Sequence, residues 1–388
     1  MHCAKKAIRY LCAIAACAIL LPLLGCAGKQ DPPVTGTDDD ISAGMTPEST
    51  IDTTSEEETT DMIQPASNAV NYRDKKCMWL SQFDLNKVYT NGGKQRDRTQ
   101  FEKYIKKILA NVKDNGINTI IVQVRPYADS MYPSDVYPMS SYVVGAYGNE
   151  ADYDPFEIII NEGHAAGLSV HAWINPMRAM LVKEITKVPE RFLIRQWYND
   201  TAKRGKYLVT VSDRVYLNPA YPEVRQLITD GAAEILERYA VDGLHMDDYF
   251  YPTTDASFDT AAYAAYKKDG GKLSLADYRR ECLSLLVSEL YRKTKEAGSD
   301  ILFGISPAGN INTVYEKQYA DVYRWCSEDG YLDYICPQVY FGLEHQTYDF
   351  KKVSNTFAGI IKNSSVELII GMTLGKAKSG TDQYAGTG

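Results

Sequence analysis

From about residue 71 onward, the chain alternates between apolar runs of strand length and amphipathic helical stretches. The apolar runs are residues 77–85, 117–127, 168–176, 243–251, 301–307, 332–341 and 367–374. The helical stretches between them are residues 101–111, 156–166, 222–239, 275–295, 314–327 and 350–362. Near-continuous apolar strands that alternate with helices are typical of a parallel sheet covered by helices. The sequence therefore predicts an α/β protein.

Two architectures fit this alternation, the (β/α)8 barrel and the open doubly wound sheet. No Gly-x-Gly-x-x-Gly motif follows the first run, which disfavours a dinucleotide-binding doubly wound sheet. Polar and aromatic residues instead end the second to sixth runs: Arg125, Tyr127, His171, Trp173, Asn175, Asp247, Tyr249, Ser306, Gln338 and Tyr340. Because a barrel gathers functional side chains from the carboxyl ends of many strands, we predict a TIM-type (β/α)8 barrel.

Seven strand-like runs are visible, whereas a complete barrel of this type has eight strands. Only 14 residues follow Leu374, too few for a further helix, strand and closing helix. We therefore expect a barrel at residues 71–388 that lacks its last strand–helix unit at the C-terminus.

The first 25 residues have the pattern of a lipoprotein signal peptide. Lys5, Lys6 and Arg9 precede an apolar run that is short for a membrane-spanning helix. The run ends in Leu-Leu-Gly-Cys at residues 23–26, which resembles the lipobox of bacterial lipoproteins, with Cys26 as the lipidated residue. A plain secretory signal cleaved nearby is the alternative. The expected protein is exported, anchored by lipid to the bacterial cell membrane, and faces the cell envelope.

Residues 26–70 have the composition of a disordered tether. They are rich in Thr, Ser, Asp, Glu and Pro and have no periodic apolar face. The whole chain carries a formal charge of −8, of which the signal contributes +3 and the tether −9, leaving −2 for the barrel. Self-repulsion should extend the tether. The nearly neutral barrel gives no indication of a nucleic-acid partner.

The sharpest chemical signal is the fourth run, Asp-Gly-Leu-His-Met-Asp-Asp-Tyr-Phe-Tyr-Pro at residues 242–252. Because side chains alternate along a strand, Leu244 and Met246 are expected to face the helices, and His245, Asp247 and Tyr249 the barrel axis. Asp248 has the opposite parity, but the loop at the strand end can turn it into the site. Inward-facing polar groups are costly unless they are hydrogen-bonded or functional. A buried network without chemistry is the alternative. Two adjacent acids followed by three aromatic residues favour a sugar site.

At these residues the sequence resembles the bacterial family-10-like glycoside hydrolases, a group of exported lipoproteins. One member type hydrolyses peptide-free glycan strands of peptidoglycan at the division site. The matching segments run in order along the chain and are residues 78–81, 123–130, 171–176, 216–219, 247–252, 305–307 and 337–340. The resemblance implies a barrel fold and a polysaccharide substrate, with peptidoglycan glycan strands favoured.

A weaker likeness to family-18 chitinases rests on the Asp-Gly-Leu at residues 242–244 and on Asp247. Those enzymes use a glutamic acid as proton donor, and Tyr249 stands at that place here. We therefore do not carry the chitinase mechanism over to this chain.

Glycoside cleavage usually needs one protonated acid for the leaving oxygen and one carboxylate as nucleophile or base. We predict Asp247 and Asp248 as the catalytic residues, because two close carboxyl groups hold their protons unequally. Asp84, Asp129 and Glu344 also follow strand-like runs and are further candidates, although loop or salt-bridge roles are commoner for such residues. If the substrate bears N-acetyl groups, its own acetamide can replace the second carboxylate, and one aspartate would then orient it.

Other polar and aromatic residues near the strand ends are predicted to bind substrate. They are Arg125, Tyr127, Asp129, His171, Trp173, Asn175, His245, Tyr249, Tyr251, Ser306, Gln338 and Tyr340. No H-x-x-H, H-E-x-x-H or C-x-x-C spacing occurs, so we predict neither a metal nor another cofactor. The cysteines after residue 26 are expected to be buried apolar thiols; they are Cys77, Cys282, Cys326 and Cys336.

The functional prediction is a glycoside hydrolase of a cell-envelope polysaccharide. A non-catalytic carbohydrate-binding lipoprotein on a barrel scaffold is the alternative, and the inward acids of the fourth run favour the enzyme. A polysaccharide deacetylase would need a metal triad, which the sequence does not contain. The sequence leaves open the glycan and its linkage, retention or inversion, the assignment of the acid, and the oligomeric state.

Overall fold

The computed structural model describes residues 69–343 and 345–373, together with the backbone of a two-residue strand at Ile14–Ala15. Apart from that strand, the predicted signal peptide, the lipidation site Cys26 and the tether up to residue 68 lie outside the described residues. The same is true of Glu344, one of the candidate carboxylates.

Seven parallel strands form the main sheet, and we label them β1 to β7 in chain order. They are β1 (Cys77–Leu80), β2 (Thr119–Arg125), β3 (Ser169–Ile174), β4 (Gly243–Met246), β5 (Leu302–Ile305), β6 (Tyr334–Ile335) and β7 (Glu367–Leu368). Their spatial order is the same as their order in the sequence. A doubly wound sheet reverses its strand order at a switch point. The unbroken order is that of a TIM-type barrel and confirms the predicted fold class.

Helices cover the outer face of this sheet, and we label those of the described residues α1 to α12. They are α1 (Gln82–Tyr89), α2 (Arg98–Asp114), α3 (Ser141–Val144), α4 (Pro155–Ala165), α5 (Val182–Ile185), α6 (Leu193–Asn199), α7 (Pro222–Arg238), α8 (Thr260–Lys268), α9 (Leu275–Ala297), α10 (Ile311–Glu316), α11 (Val322–Trp325) and α12 (Phe350–Ile360). A short 3-10 helix spans Ala256–Phe258. None of the helices in the described part of the chain is both long and apolar enough to cross a membrane.

Smaller sheets lie outside the main one. Thr90–Asn91 pairs with Lys94–Gln95 in a hairpin. The segment after β3 contributes Arg178–Leu181 to a three-stranded antiparallel sheet with Leu208–Val211 and Arg214–Leu217. This sheet stands beyond the carboxyl end of β3 and brings Arg178 toward the rim of the barrel. The strand Ile14–Ala15 pairs in parallel with Gly371–Met372.

The main sheet curls until its first and last strands approach each other. A flat sheet of seven strands would hold its edge strands about 29 Å apart. Here Lys75 Nζ, just before β1, lies 2.6 Å from Glu367 Oε2 on β7. Trp79 on β1 belongs to the same buried cluster as Tyr334 and Ile369. The strands therefore enclose an interior that is filled by side chains, as in a barrel.

The predicted alternation along β4 is confirmed. Leu244 and Met246 are fully buried in the main apolar core, which also contains Leu283 and Leu290 of α9. Between them, His245 points into the barrel interior, where it meets the ring of Trp173. The expectation that the four cysteines are buried also holds for Cys77, Cys282, Cys326 and Cys336.

Several predicted strands are shorter in the structure, as at Gly243–Met246 and Tyr334–Ile335, and two differences have a local cause. The first strand ends at Leu80, because Ser81 and Asp84 form a capping box that starts α1. The helix expected at residues 314–327 is split into α10 and α11. Between them Tyr319 has a φ of 56°, a left-handed conformation that an α-helix cannot contain.

Candidate active site

The acid pair Asp247 and Asp248 lies directly beyond β4, at the carboxyl-end rim of the barrel. Asp247 is buried, and Asp248 is partly exposed. The residues that follow the neighbouring strands reach the same rim, which brings in Asn175 after β3, Ser306 after β5 and Gln338 after β6. These five predicted site residues therefore come together, as expected for a barrel.

A chain of amide groups holds Asp247 in place. Asn175 Nδ2 donates to both carboxyl oxygens of Asp247 at 2.6 Å, and the backbone N–H of Tyr249 donates to Oδ1 at 3.2 Å. Gln123 Nε2 in turn donates to Asn175 Oδ1 at 2.6 Å. The backbone N–H of Gln82 donates to Gln123 Oε1 at 3.2 Å. This series of hydrogen bonds begins at Gln82 on α1 and fixes the orientation of the Asn175 amide, and thus of Asp247.

Burial changes the protonation of this pair. It raises the pKa of Asp247 to about 8, and the nearby Asp248 carboxylate adds to that rise. The hydrogen bonds from Asn175 and Tyr249 and the charge of Arg178 act in the opposite direction. Burial also raises the pKa of Asp248, which a hydrogen bond from Gln338 and the charge of Arg178 oppose. Burial therefore favours the protonated form of Asp247, and the site holds an acid next to a potential carboxylate.

Arg178 lies between two tyrosine rings beside the acid pair. Its guanidinium carbon is 4.0 Å from the ring centre of Tyr249 and 4.9 Å from that of Tyr127. The guanidinium of Arg214 approaches the Tyr127 ring as well, at 4.6 Å. The faces of aromatic rings attract cations, so these contacts hold the Arg178 guanidinium in place. Arg178 Nε has no hydrogen-bond partner within the described residues.

Several buried polar atoms at the rim have no hydrogen-bond partner within the described residues. They are Trp173 Nε1, Arg178 Nε, Gln82 Oε1 and Ser306 Oγ. An unsatisfied buried donor or acceptor costs about 1–3 kcal/mol. Unpaired polar atoms also occur away from the rim, at Arg125 Nη2 and the Tyr251 hydroxyl, so the unpaired state does not by itself define a binding surface.

His171 and His245 lie deeper in the barrel, below the acid pair. The hydroxyl oxygen of Tyr334 is 3.0 Å from His171 Nδ1 and 2.9 Å from His245 Nδ1. Burial lowers the pKa of His171 to about 4 and that of His245 to about 3, so both imidazoles are neutral. The structure places these two predicted substrate-binding residues in an internal network away from the rim.

The partners of this network assign its protons. Trp79 Nε1 can only donate, and it lies 3.4 Å from His245 Nε2, so the proton of His245 is on Nδ1. His245 then donates to the Tyr334 hydroxyl, which donates to His171 Nδ1. His171 Nε2 carries the remaining proton and donates to Asn71 Oδ1 at 3.1 Å. A single proton arrangement satisfies every group.

Three other predicted binding residues lie outside the group at the rim. Arg125 points toward α7, where it donates to the carbonyl of Ile228 and stacks on Tyr137. The cause is a register shift between Gln123 and Arg125, which turns the arginine out of the interior.

Asp129 and Tyr251 are the other two. Asp129 is buried in the loop after β2, where it accepts hydrogen bonds from the Tyr127 backbone and the Tyr147 hydroxyl. Tyr251 is buried against Phe258 and Tyr319. Each of the two packs within the protein.

The aromatic residues Tyr127, Trp173, Tyr249 and Tyr340 do lie at the rim. Tyr127 accepts a hydrogen bond from Gln82 Nε2 at 3.0 Å. Tyr340 packs edge-on against Trp79 and lies close enough to Asp247 and Asp248 for their charges to raise the pKa of its hydroxyl, after the larger effect of burial. Asp84, considered as a second carboxylate, is exposed and caps α1.

Sequence reasoning did not assign a role to Gln82, Gln123 or Arg178. The sequence does indicate Gln123, since it is a polar residue on the inward face of an apolar strand. It indicates Arg178 more weakly, because that residue stands three residues beyond Asn175. Nothing in the sequence indicates Gln82, since its role depends on the helix start at Ser81.

Within residues 69–343 and 345–373, no three or more His, Cys, Asp or Glu side chains converge on a possible metal position.

The fold and the site together define a barrel protein with a buried acid pair at the carboxyl ends of its strands. The chain belongs to the glycosyl hydrolase-like 10 family, whose model matches residues 75–385. It is 32% identical over 335 residues to glycosyl hydrolase YngK of Bacillus subtilis strain 168, covering 81% of this chain and 64% of that relative. It is 31% identical over 336 residues to glycosyl hydrolase DigH of Escherichia coli strain K12, covering 80% of this chain and 76% of the relative.

Among solved structures, the chain is similar to the glycoside hydrolase domain of PgaB (BpsB) from Bordetella bronchiseptica. The sequence identity is 13% and the TM-score is 0.49, over 74% of this chain and 80% of that one. The chain thus spans less than two thirds of the YngK relative and about three quarters of DigH.

Proposed function

We propose that this protein is a glycoside hydrolase of a cell-envelope polysaccharide, preferentially the glycan strands of peptidoglycan. The observation that carries the proposal is the acid pair at the rim, in which Asp247 is buried and held on both oxygens by Asn175, an environment that raises its pKa. A carboxyl group that keeps its proton at neutral pH can give that proton to the leaving oxygen of a glycosidic bond. Asp248 next to it is the candidate carboxylate.

The two aspartates are proposed to have different roles. Asp247 is the more buried and is held by Asn175 on both oxygens, which suits a general acid of fixed orientation. Asp248 is partly exposed, and burial is the cause that raises its pKa, whereas both burial and the charge of Asp248 raise the pKa of Asp247. It is therefore the group that ionises more readily, and its negative charge would stabilise the positive charge that develops on the sugar.

A substrate-assisted route fits these neighbours best. Asp84 and Asp129 are engaged in a helix cap and in a loop, so neither of them supplies a second carboxylate. In this route the acetamide oxygen of an N-acetyl sugar bonds to the anomeric carbon, and the glycosidic bond breaks toward the leaving oxygen. The leaving oxygen takes the proton of Asp247. Water then attacks the anomeric carbon and gives a proton back to Asp247, while the bond from the acetamide oxygen breaks and restores the N-acetyl group. Asp248 would orient the acetamide, and Glu344 stays an alternative second carboxylate.

Peptidoglycan is the favoured substrate because its glycan strands carry N-acetyl groups and lie in the bacterial envelope. Residues 1–25 and Cys26 have the lipoprotein pattern, and the acidic tether follows them. We propose that the barrel is exported, anchored through Cys26 and carried by its tether at some distance from the membrane.

The test of the activity is digestion of peptide-free glycan strands, intact peptidoglycan and chitin, with analysis of the products. Asp247→Asn and Asp248→Asn are compared with Asp114→Asn, at an exposed aspartate that ends α2. We expect Asp247→Asn to slow cleavage about 10²- to 10⁴-fold, since that is the usual contribution of a general acid. Asp114→Asn should cleave at the wild-type rate.

Two results would contradict the proposal. If the wild-type chain releases no product from any of these glycans, the hydrolase is excluded in favour of the carbohydrate-binding alternative. If Asp247→Asn and Asp248→Asn both cleave at the wild-type rate, the acid pair is not the catalytic site.

The test of the localisation uses the full chain expressed in a bacterium with Cys26 intact or changed to alanine. We expect the wild-type protein to incorporate labelled fatty acid and to sediment with membranes. The Cys26→Ala variant should do neither. Equal incorporation in both proteins would exclude Cys26 as the anchor.

A further inference from the structure

Phe83 is a large apolar side chain that stands mostly in solvent beside the active-site rim. It lies on α1, one residue after Gln82, and 65% of its surface is exposed. Among residues 69–343 and 345–373, no other large hydrophobic side chain is as exposed. An exposed aromatic ring next to a polar cleft is typical of a binding surface.

Phe83 is the first of five side chains that contact one another in a row. Its ring meets the edge of Tyr142, with ring centres 6.0 Å apart, and Tyr142 stacks on Tyr127 at 6.2 Å. Tyr127 carries the guanidinium of Arg178 at 4.9 Å, and Arg178 reaches Tyr249 at 4.0 Å. We call these five residues the aromatic strip.

The aromatic strip crosses the ends of the first four strands. Phe83 follows β1, Tyr127 and Tyr142 follow β2, Arg178 follows β3, and Tyr249 follows β4. Tyr249 is the neighbour of Asp248 in the chain and is 41% exposed. The strip therefore begins at the acid pair and ends at an exposed ring on the outer side of the rim.

The chemistry of the aromatic strip matches a sugar chain. Aromatic rings pack against the C–H faces of sugar rings, while tyrosine hydroxyls and an arginine bind sugar hydroxyls, amides or carboxylates. The exposed Phe83 and Tyr249 and the partly exposed Tyr142 and Arg178 present these groups, whereas Tyr127 is buried beneath them and supports Arg178. The strip is narrow and is interrupted by a charged group, whereas stable protein interfaces bury a broad area of about 800 Å² on each partner. These features favour a polysaccharide over a protein as the occupant.

We propose that the aromatic strip binds the glycan on one side of the cleavage point, with Phe83 as a distal sugar subsite. The proposal rests on the proposed function for the position of cleavage. It makes the protein selective for polymeric glycan over a disaccharide, because a disaccharide held at Asp247 does not reach Phe83.

The experiment measures binding apart from hydrolysis. Chains carrying Asp247→Asn, with and without Phe83→Ala, are titrated with soluble peptide-free glycan strands and with the disaccharide of the same glycan. We expect Phe83→Ala to weaken polymer binding about tenfold, equivalent to about 1.4 kcal/mol, and to leave disaccharide binding unchanged. Phe83→Tyr should keep the polymer affinity, because it keeps the ring. Leu285→Ala on α9 is the matched control, since Leu285 is also an exposed apolar residue.

Unchanged polymer affinity in Phe83→Ala overturns the proposal. An equal loss for polymer and disaccharide also overturns it, because Phe83 would then act only by positioning Gln82. If no glycan is hydrolysed but polymer binding depends on Phe83, the subsite stands and the proposed hydrolase fails. If hydrolysis depends on Asp247 but polymer binding does not depend on Phe83, the proposed hydrolase is supported and the proposed subsite is contradicted.

Discussion

The barrel holds two buried polar networks that differ in how completely their hydrogen bonds are satisfied. In the deeper one, which we call the floor, His245 and His171 are joined through Tyr334 and end at Trp79 and Asn71. At the rim, by contrast, Trp173 Nε1, Arg178 Nε and Ser306 Oγ have no partner within the described residues. Since buried polar groups are normally paired, the rim keeps hydrogen-bonding capacity that a ligand can use, whereas the floor is complete without one.

The same physical cause has opposite chemical results in the two networks. Burial disfavours the charged form of any group, so it lowers the pKa of His171 and His245 and raises that of Asp247. A neutral histidine whose N–H is already donated has no proton to offer a substrate. A neutral aspartic acid retains a proton that it can transfer. Desolvation therefore makes the floor inert and the rim acidic.

The largest change in stability is expected from a substitution in the floor. Tyr334→Phe removes the hydroxyl that accepts from His245 and donates to His171, which leaves one buried donor and one buried acceptor unpaired. The free energy of unfolding should fall by about 3 kcal/mol, given a cost of about 1–3 kcal/mol for each unpaired group. Urea unfolding measures the change.

Tyr323→Phe, at an exposed tyrosine on α11, is the control for Tyr334→Phe and should change stability little. Nitrogen NMR of the wild-type imidazoles should show the proton of His245 on Nδ1 and that of His171 on Nε2. Equal stability of Tyr334→Phe and the wild type, or the opposite tautomers, would show that the floor is not ordered in this way.

A smaller change in stability is expected when the pH is raised, because of Asp247 at the rim. The pKa of Asp247 is raised in the folded protein to about 8 from an ordinary value of 3.8. The unfolded chain therefore releases this proton first, and stability is lost as the pH rises from about 4 through about 8. Asp247→Asn cannot ionise, so it should not show this loss. Between pH 4 and pH 8, the free energy of unfolding of the variant minus that of the wild type should therefore increase by at least about 1.4 kcal/mol, the equivalent of one pKa unit.

Urea unfolding of wild type and Asp247→Asn at several pH values between 4 and 8 measures this difference. The activity supplies a second observation, since cleavage that needs protonated Asp247 should decline on the alkaline side of about pH 8. A stability difference that stays constant with pH would contradict the raised pKa.

The smallest effect is expected from the charge at Arg178. Its guanidinium favours the ionised forms of Asp247 and Asp248, so Arg178→Gln should raise the pKa of both carboxyl groups. The alkaline limb of the pH profile of kcat/KM should move to higher pH by about half a unit, a typical size for a partly screened charge. Arg214→Gln is the matched control, because Arg214 packs on the same Tyr127 ring. If the alkaline limb of the pH profile moves equally in Arg178→Gln and Arg214→Gln, the effect comes from packing and not from the charge of Arg178.

The order of elements and the position of the acid pair were accessible from sequence because both depend on local patterns. Alternating apolar runs and helical stretches predicted seven parallel strands, and period-two alternation placed Leu244 outward and His245 inward. The same pattern placed Asp247 at the strand end, where Asn175, Ser306 and Gln338 also arrive.

The depth and direction of individual side chains were not accessible in this way. His171 and His245 share the inward face with Asp247, yet only their distance along the strand places them at the floor. Arg125 shares the expected inward face with Gln123, yet a register shift turns it toward α7. Period-two alternation specifies a face, whereas depth and bulges depend on how neighbouring strands pair.

By itself, the sequence determined the class of fold and the strand that carries the acids, because those follow from hydrophobic period and residue type along one segment. Only the tertiary structure decided that Gln82, Gln123 and Asn175 form one chain to Asp247, and that Phe83, Tyr142 and Arg178 extend the site. These residues come from separate loops, and their contacts exist only after the sheet has curled and brought the strand ends to one rim. The chemistry of the site is therefore encoded in single residues, and its geometry is encoded in the pairing of strands.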